Sequence, residues 1–129
     1  MKQVLIAGVS GAIGGALASR LLERDSQTRV IGLCRDPENA PDALRSHQRI
    51  TLLPWDAESS AAPGAIAEAL ESLLNREDGI DSFIYAAGLL HGPDMFPEKR
   101  LEDLDPQSMA RAFAVNATGF GLLTQALLP

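Results

Sequence analysis

Three glycines near the amino terminus have the spacing needed to bring a phosphate group against the backbone. Gly8, Gly11 and Gly14 stand three residues apart in GVSGAIGG, directly after the apolar segment QVLIA. A tight turn from a strand into a helix needs permissive backbone angles, and a pyrophosphate can approach closely only where no Cβ intrudes. The first helical turn adds N–H donors and the positive end of the helix dipole. The pattern predicts a dinucleotide site that also includes Ser10, Ala12 and Ile13.

This glycine-rich turn has a competing interpretation. Such a turn can connect a strand to a helix without binding any ligand, and the spacing alone does not exclude that. A P-loop is excluded, because no Lys followed by Ser or Thr closes the turn. A strand before the turn, and a helix and second strand after it, favour the binding interpretation.

The residue after the second predicted strand bears on which dinucleotide binds. Enzymes that use NAD usually carry an acid about 20 residues beyond the glycines, which hydrogen-bonds the adenosine ribose. Cys34 and Arg35 occupy that place here. A guanidinium can pair with a 2'-phosphate, so we expect NADP, with NAD as the second possibility. Two alternatives stay open: Arg35 is a solvated loop residue, or Asp36 binds the ribose.

The elements that would position these residues alternate along the chain. Short apolar, β-branched segments predict strands at Gln3 to Ala7, Arg29 to Cys34, Ile50 to Trp55 and Ile80 to Ala86. Helical patterns separate them, which is typical of parallel βαβ units with right-handed crossovers. We therefore expect an α/β fold of the Rossmann type, a doubly wound parallel sheet in a three-layer sandwich. The expected strand order is 3-2-1-4, with strand 4 at an edge.

Apolar spacing and capping residues predict the helices. In the first helix, Ile13, Leu17 and Leu21 form the expected packing face. Asp36 and Pro37 predict the start of a short helix over Glu38 to Ser46, and a further helix begins near Pro63. Gly88 to Asp103 is expected to be a loop. After it, Asp105 and Pro106 begin a long helix whose apolar stripe is Met109, Phe113, Phe120 and Leu123.

Composition narrows the class of protein further. The chain has 129 residues, a formal net charge of -6 and 46% hydrophobic residues, which fits one globular domain over residues 1–129. The acidic balance argues against binding to nucleic acid or to an anionic membrane surface, since both recruit basic clusters. One cysteine cannot form an internal disulfide, and no apolar run reaches membrane-spanning length. We expect a cytoplasmic protein.

Several motifs together resemble the short-chain dehydrogenase/reductase family, and the overall run most resembles its C-factor-like members. VLIAGVSGAIGGALA is similar to the family's glycine motif, with Ala7 where a Thr is usual and Ala12 where a Gly is usual. DSFIYAAG resembles the strand-4 signature that normally reads Asn-Asn-Ala-Gly. The resemblance implies that Ala86, Ala87 and Gly88 lie close to a cofactor ribose and that Asp56 and Ala57 contact the adenine. A helix or turn cap is an equally good interpretation of Asp56.

Asn116, in the segment FAVNATG, is the one candidate for the catalytic machinery. It falls on the same predicted helical face as Met109, Phe113 and Phe120, where a buried polar group needs a partner. The resemblance implies a role in a water-linked proton relay. The alternative is a structural Asn that hydrogen-bonds neighbouring backbone.

The family's acid-base pair does not occur in this sequence. The family signature is a Tyr followed four residues later by a Lys, but Leu89 stands four residues after the only tyrosine, Tyr85. The resemblance therefore implies the cofactor-binding portion of an NAD(P)-dependent oxidoreductase, incomplete on its C-terminal side and inactive alone. The complete enzyme would move hydride between NADP(H) and a small carbonyl or alcohol substrate.

Two further expectations concern partners. A noncatalytic dinucleotide-binding or sensor module that docks a partner would need no Tyr-Lys pair, and it remains the alternative function. If the chain ends at Pro129, strand 4 presents unpaired backbone beside the apolar segment FIYAA. We therefore expect self-association.

Overall fold

Four parallel strands form one sheet in the computed structural model, which describes residues 2–58, 68, 70–71, 79–88 and 99–128. Their order is β3-β2-β1-β4, as predicted. The strands are Lys2–Ala7 (β1), Thr28–Cys34 (β2), Ile50–Pro54 (β3) and Ser82–Tyr85 (β4). Ala7 pairs with Leu33 on one side and Tyr85 on the other, so the carboxyl ends of these strands lie at the same edge.

The strand β1 is buried on both faces of the sheet, which explains its continuous apolar sequence. Val4 and Ile6 belong to one core cluster, together with Ala18 and Leu22 of the first helix. Leu5 and Ala7 alternate with them and pack into a second cluster on the opposite face. Among the described residues, that second cluster also includes Trp55, Leu70 and Leu123 from later parts of the chain. Apolar layers on both faces of a parallel sheet are the doubly wound arrangement expected from the sequence.

The first helix, Ala12–Arg24 (α1), packs on the sheet through small residues. Gly14, Ala18 and Leu22 are its buried positions. The predicted packing face was therefore partly wrong: Leu17 and Leu21 only flank the core, and Ile13 is 71% exposed. The helix approaches the sheet too closely for large side chains at its centre, so the stripe of large apolar residues lies to one side.

Arg49 holds the end of α1 to the start of β3. Its guanidinium donates hydrogen bonds to the backbone oxygens of Leu22, Asp25 and Thr28 at 2.9, 2.9 and 3.0 Å. Leu22 lies in the last turn of α1, where the carbonyls have no intrahelical donor; Asp25 directly follows the helix, and Thr28 is the first residue of β2. One side chain thus fixes the loop between α1 and β2.

The segment after β2 is less helical than predicted. A 3-10 turn, Pro37–Asn39, and a short helix, Asp42–Arg45 (α2), replace the continuous helix expected over Glu38 to Ser46. Pro41 separates them because it lacks an N–H donor. Asp36 stands at the N-cap position, but its carboxylate accepts a hydrogen bond from the Asn39 side chain instead of capping a backbone N–H.

The carboxyl-terminal helix is interrupted by a wider turn. Pro106–Phe113 (α3) is followed by a π-helical turn, Ala114–Thr118, and then by Gly119–Leu127 (α4). The predicted cap at Asp105 is present: its Oδ2 accepts hydrogen bonds from Ser108 N at 3.0 Å and from Ser108 Oγ at 2.8 Å. The continuous apolar stripe is wrong, because Phe113 is 60% exposed and Phe120 is 47% exposed while Leu123 is buried. A π turn changes the rotational phase of the helix, so a 3.6-residue period does not extend through it.

Two predicted elements lie largely outside the described residues. The helix expected from Pro63 is described only at Glu68, Leu70 and Glu71, which are helical. Of the loop expected over Gly88 to Asp103, the structure describes Gly88 and residues 99–103, where Leu101–Asp103 forms a 3-10 turn. None of the helices in the described part of the chain has both the length and the apolar character needed to span a bilayer.

Candidate functional site

A cleft of about 210 Å³ lies at the carboxyl ends of the parallel strands. Ligands of open α/β sheets bind at this edge, where strand connections diverge to opposite faces. Each strand contributes the residues that directly follow it. The lining residues are Gly8, Ser10, Gly11, Leu33, Cys34, Arg35, Trp55, Asp56, Ala57, Glu58, Ala86, Ala87, Gly88 and Val115.

The glycine turn is held tightly against the ends of the neighbouring strands. Gly8 has a φ of 81°, a backbone conformation that favours glycine. A Cβ on Gly8 would lie 2.7 Å from Ala87 N, so the turn touches the backbone after β4. Leu33 O accepts hydrogen bonds from both Gly8 N at 2.9 Å and Val9 N at 3.2 Å. These bonds fix the turn without the Thr hydroxyl that Ala7 lacks.

The amino terminus of α1 opens towards this turn. Gly11 is its N-cap residue, and no side chain caps the helix and no acid stands in its first turn. The first N–H groups of a helix have no intrahelical acceptor, so they are suited to an anion. Ser10 and Gly11 line the cleft, whereas Ala12, Ile13 and Gly14 do not.

Arg35 lies at the edge of the cleft beside a neutral thiol. Cys34 also lines the cleft but is only 3% exposed, and burial raises the pKa of its thiol. The end of β2 therefore presents the Arg35 guanidinium, and position 34 carries a neutral thiol where an NAD-binding enzyme usually carries an acid. Asp36, the competing ribose ligand, is exposed and not part of the lining.

The segment after β3 also lines the cleft. Asp56 Oδ1 accepts a hydrogen bond from Glu58 N at 2.9 Å, so Asp56 caps a turn as well as lining the cleft. Glu58 Oε1 in turn accepts a hydrogen bond from Arg111 Nε at 2.8 Å. This ion pair joins the β3 loop to α3 across 53 residues of sequence. Both of the interpretations of Asp56 left open by the sequence remain compatible with this geometry.

Asn116 lies at the rim of the cleft beside Gly88. A Cβ on Gly88 would be 3.4 Å from Asn116 Oδ1. Asn116 itself is exposed, so the expectation of a buried polar group on an apolar helical face was wrong. The π-helical turn, in which Asn116 is the middle residue, sets its direction independently of the apolar residues of α3 and α4.

Tyr85 connects β4 to that π-helical turn. Its hydroxyl donates a hydrogen bond to the backbone oxygen of Val115. Its ring makes edge contacts with Trp55 and Phe120, at centroid distances of 5.8 and 5.4 Å. Gly119 provides the space, since a Cβ there would lie 2.7 Å from the Tyr85 hydroxyl.

Burial raises the pKa of the Tyr85 hydroxyl above its usual value near 10. The unfolded chain therefore loses this proton first. The stabilisation that Tyr85 contributes should be fully present below the unfolded pKa and should disappear as the pH rises through the folded pKa. Because Tyr85 is the only tyrosine, the near-ultraviolet absorbance of its phenolate reports the titration directly. Equal midpoints in the folded chain and in the denaturant-unfolded chain would contradict the burial.

Among the cleft-lining residues in the part of the chain that the structure describes, the sequence did not indicate Leu33, Cys34, Trp55, Glu58 and Val115. Four of them stand at or just beyond a strand's carboxyl end, so a search of every such position would have found them. Val115 is different, because its contribution depends on where the helix after β4 crosses the cleft.

The strand order and the glycine-lined cleft define a Rossmann-type α/β protein. The chain belongs to the short chain dehydrogenase family, whose model matches residues 2–129. The match covers every element described above, including the cleft and the π-helical turn.

Similar proteins give the scale of the match. The short-chain dehydrogenase srdF of Neurospora crassa is 32% identical over 133 residues, covering 98% of this chain and 49% of that protein. Sniffer of Caenorhabditis elegans, described as a carbonyl reductase, superimposes with a TM-score of 0.78 at 27% identity, covering 100% of this chain and 53% of its own. A 3-ketoacyl-(acyl-carrier-protein) reductase of Brucella melitensis, complexed with NADH, superimposes with a TM-score of 0.79 at 25% identity. That match covers 99% of this chain and 49% of the reductase. The chain thus spans about half the length of these relatives.

Proposed function

We propose that residues 1–129 form one dinucleotide-binding domain, the cofactor-binding portion of an NAD(P)-dependent short-chain oxidoreductase. The enzyme would transfer hydride between NADP(H) and a small carbonyl or alcohol substrate. The observation that carries this proposal is the cleft into which the uncapped amino terminus of α1 opens, beside Gly8 and Gly11. Membership of the short chain dehydrogenase family supports it.

The residues present fit such a cofactor. Backbone N–H groups at the start of α1 suit the pyrophosphate, and Gly11 is exposed with no Cβ to obstruct it. The proposed contacts for the adenine are Asp56 and Ala57, and those for the ribose nearer the nicotinamide are Ala86, Ala87 and Gly88. Ala12 and Ile13 do not line the cleft, so they would take part only through their N–H groups at the start of α1. When bound, the nicotinamide supplies or accepts the hydride.

Fluorescence offers a direct test of binding, because Trp55 is the only tryptophan and lines the cleft. NADPH bound beside it should quench its emission in a saturable way. Addition of 2',5'-ADP, which carries only the adenine half, should restore the emission by competition. Saturable quenching that 2',5'-ADP does not reverse would place the binding elsewhere and would contradict the proposal.

We propose that Arg35 gives the site its preference for NADP. Arg35→Ala is expected to raise the Kd for NADP+ about 10- to 100-fold, the effect of losing a charge-assisted hydrogen-bonded pair. The Kd for NAD+ should change by less than about twofold, since NAD+ has no 2'-phosphate to pair with.

The matched control is Arg29→Ala, which removes an exposed guanidinium from the other end of β2. It should leave both Kd values unchanged. Equal losses for NADP+ and NAD+ in Arg35→Ala, or no loss for either, would argue against the assignment.

We also propose that the 129-residue chain self-associates through β4. Among the described strands β4 pairs only with β1, so one edge of its backbone has no strand partner there. Unpaired edges beside apolar side chains such as Phe83 favour pairing with a second copy. Light scattering should give a mass above 13.7 kDa that rises with concentration. A constant mass of one chain over the same range would be evidence against it.

A further inference from the structure

The π-helical turn has a specific hydrogen-bond signature at its end. Gly119 N donates to the backbone oxygen of Ala114, five residues earlier. In an α-helix the same N–H would donate to Val115, four residues earlier. The turn therefore withholds from Val115 O the bond that α-helical geometry would give it. Such single π turns occur frequently at functional sites.

Tyr85 supplies a donor to that oxygen. Its hydroxyl donates to Val115 O from the end of β4, a strand separated from the helix by 30 residues of sequence. The hydroxyl fits because Gly119 has no side chain: a Cβ there would also lie 2.8 Å from Ala57 Cβ and 2.9 Å from Ala114 O. Tyr85 and Gly119 are thus complementary across the contact.

We propose that Tyr85 is a positioning residue that selects the π-helical turn and so holds Asn116 at the rim of the cleft. Asn116 directly follows Val115, and its Oδ1 lies close to Gly88. Without a hydroxyl at residue 85, Val115 O would lose this donor in a partly buried place. Val115 O could regain a donor if Gly119 N donated to it, as in an α-helix, instead of to Ala114 O. That one-residue shift rotates the two parts of the helix by roughly 100° relative to each other. Asn116 would then leave Gly88.

Any role of Tyr85 in a reaction rests on the proposed function together with the proton-relay role that the family resemblance implies for Asn116. Its effect on the position of Asn116 does not depend on any cofactor. The test therefore uses the ligand-free 129-residue chain, and its result can be interpreted even if the chain does not bind the cofactor.

The experiment is NMR of Tyr85→Phe, with the cross-peak between the Asn116 side-chain amide protons and the Gly88 α-protons as the readout. Tyr85→Phe keeps the ring that contacts Trp55 and Phe120 but removes the hydroxyl. We expect loss of the cross-peak and a change in the Val115 carbonyl carbon shift. The amide dispersion of β1 and β2 should be retained.

Phe83→Leu is the matched control. Phe83 stacks on Phe120 at 5.9 Å and makes an edge contact with Tyr85, but it has no hydroxyl. It disturbs the same aromatic cluster and should keep the cross-peak. If Tyr85→Phe does not fold, Gly119→Ala decides instead, because its Cβ must displace the hydroxyl, and the cross-peak should again be lost. Persistence of the cross-peak in a folded Tyr85→Phe or Gly119→Ala chain, or equal loss in Phe83→Leu, would overturn the proposal.

Discussion

Gly14→Ala is expected to lower the free energy of unfolding by about 3 kcal/mol or more, the upper range for inserting a methyl group into close-packed surroundings. A Cβ at residue 14 would lie 2.2 Å from Gly8 O, 2.9 Å from Gly8 C and 3.0 Å from Val9 Cα. All three are backbone atoms, so no side-chain rotation can relieve the contact. The helix α1 would have to move away from the sheet and lose packing at Ala18 and Leu22.

The turn beneath Gly14 cannot yield either. Gly8 is fixed by its bond to Leu33 O and by its approach to Ala87 N. Displacing it would disturb the ends of β1, β2 and β4 together. The clash is therefore transmitted to the sheet instead of being absorbed by the loop.

Gly121→Ala is the matched control for this substitution. Gly121 is also a helical glycine, in α4, but no atom of the described residues lies within 4 Å of where its Cβ would be. Ala should stabilise the chain there by about 0.5–1 kcal/mol, because it is the better helix former. Urea unfolding followed by Trp55 fluorescence measures both variants. A Gly14→Ala chain as stable as the wild type would disprove the close contact between helix and turn.

Gly11→Val is expected to weaken NADPH binding about 30-fold or more, equivalent to about 2 kcal/mol, while leaving the fold intact. Gly11 is exposed, and a Cβ there would lie 3.4 Å from its nearest neighbour, Gly8 O. Its φ of -76° and ψ of 169° are extended backbone that a β-branched residue adopts readily. The new side chain would instead occupy the space in which the pyrophosphate approaches the helix terminus.

The contrast between Gly14, whose substitution should impair folding, and Gly11, whose substitution should impair binding, separates the two effects. Gly11→Val should unfold in urea within about 0.5 kcal/mol of the wild type, as expected for a surface substitution. Gly121→Val, outside the cleft lining, controls for the added volume and should bind NADPH normally. Unchanged binding by Gly11→Val would mean that the phosphates do not lie against this turn.

The sheet could be predicted from the sequence because the two patterns that indicate it, apolar strand segments and their alternation with helices, are local. Apolar β-branched segments buried on two faces mark β1 and β2, and the alternation with helices leads to the observed order. The prediction of which face of α1 packs on the sheet was partly wrong, because it relied on the large apolar residues. Large apolar residues such as Ile13 dominate the periodic pattern, whereas Gly14 and Ala18 make the contact because they are small.

The candidate site was predictable where strand ends define it and unpredictable where distant segments meet. Gly8, Arg35 and Ala87 directly follow predicted strands and all line the cleft. The bond between Tyr85 and Val115 and the ion pair between Glu58 and Arg111 join residues far apart in sequence. The π-helical turn is set by the first of these contacts on our account, so helical periodicity could not indicate the position of Asn116.

The most direct test of the central claim is to map NADP+ binding onto the backbone amides of the 15N-labelled chain. The proposal predicts saturable shifts that are largest at Gly11, Ala12 and Ile13, with further shifts at Arg35 and at Ala86 to Gly88. No shift at these amides in a folded chain at about 1 mM NADP+, or shifts centred away from the cleft, would contradict a dinucleotide site at the start of α1.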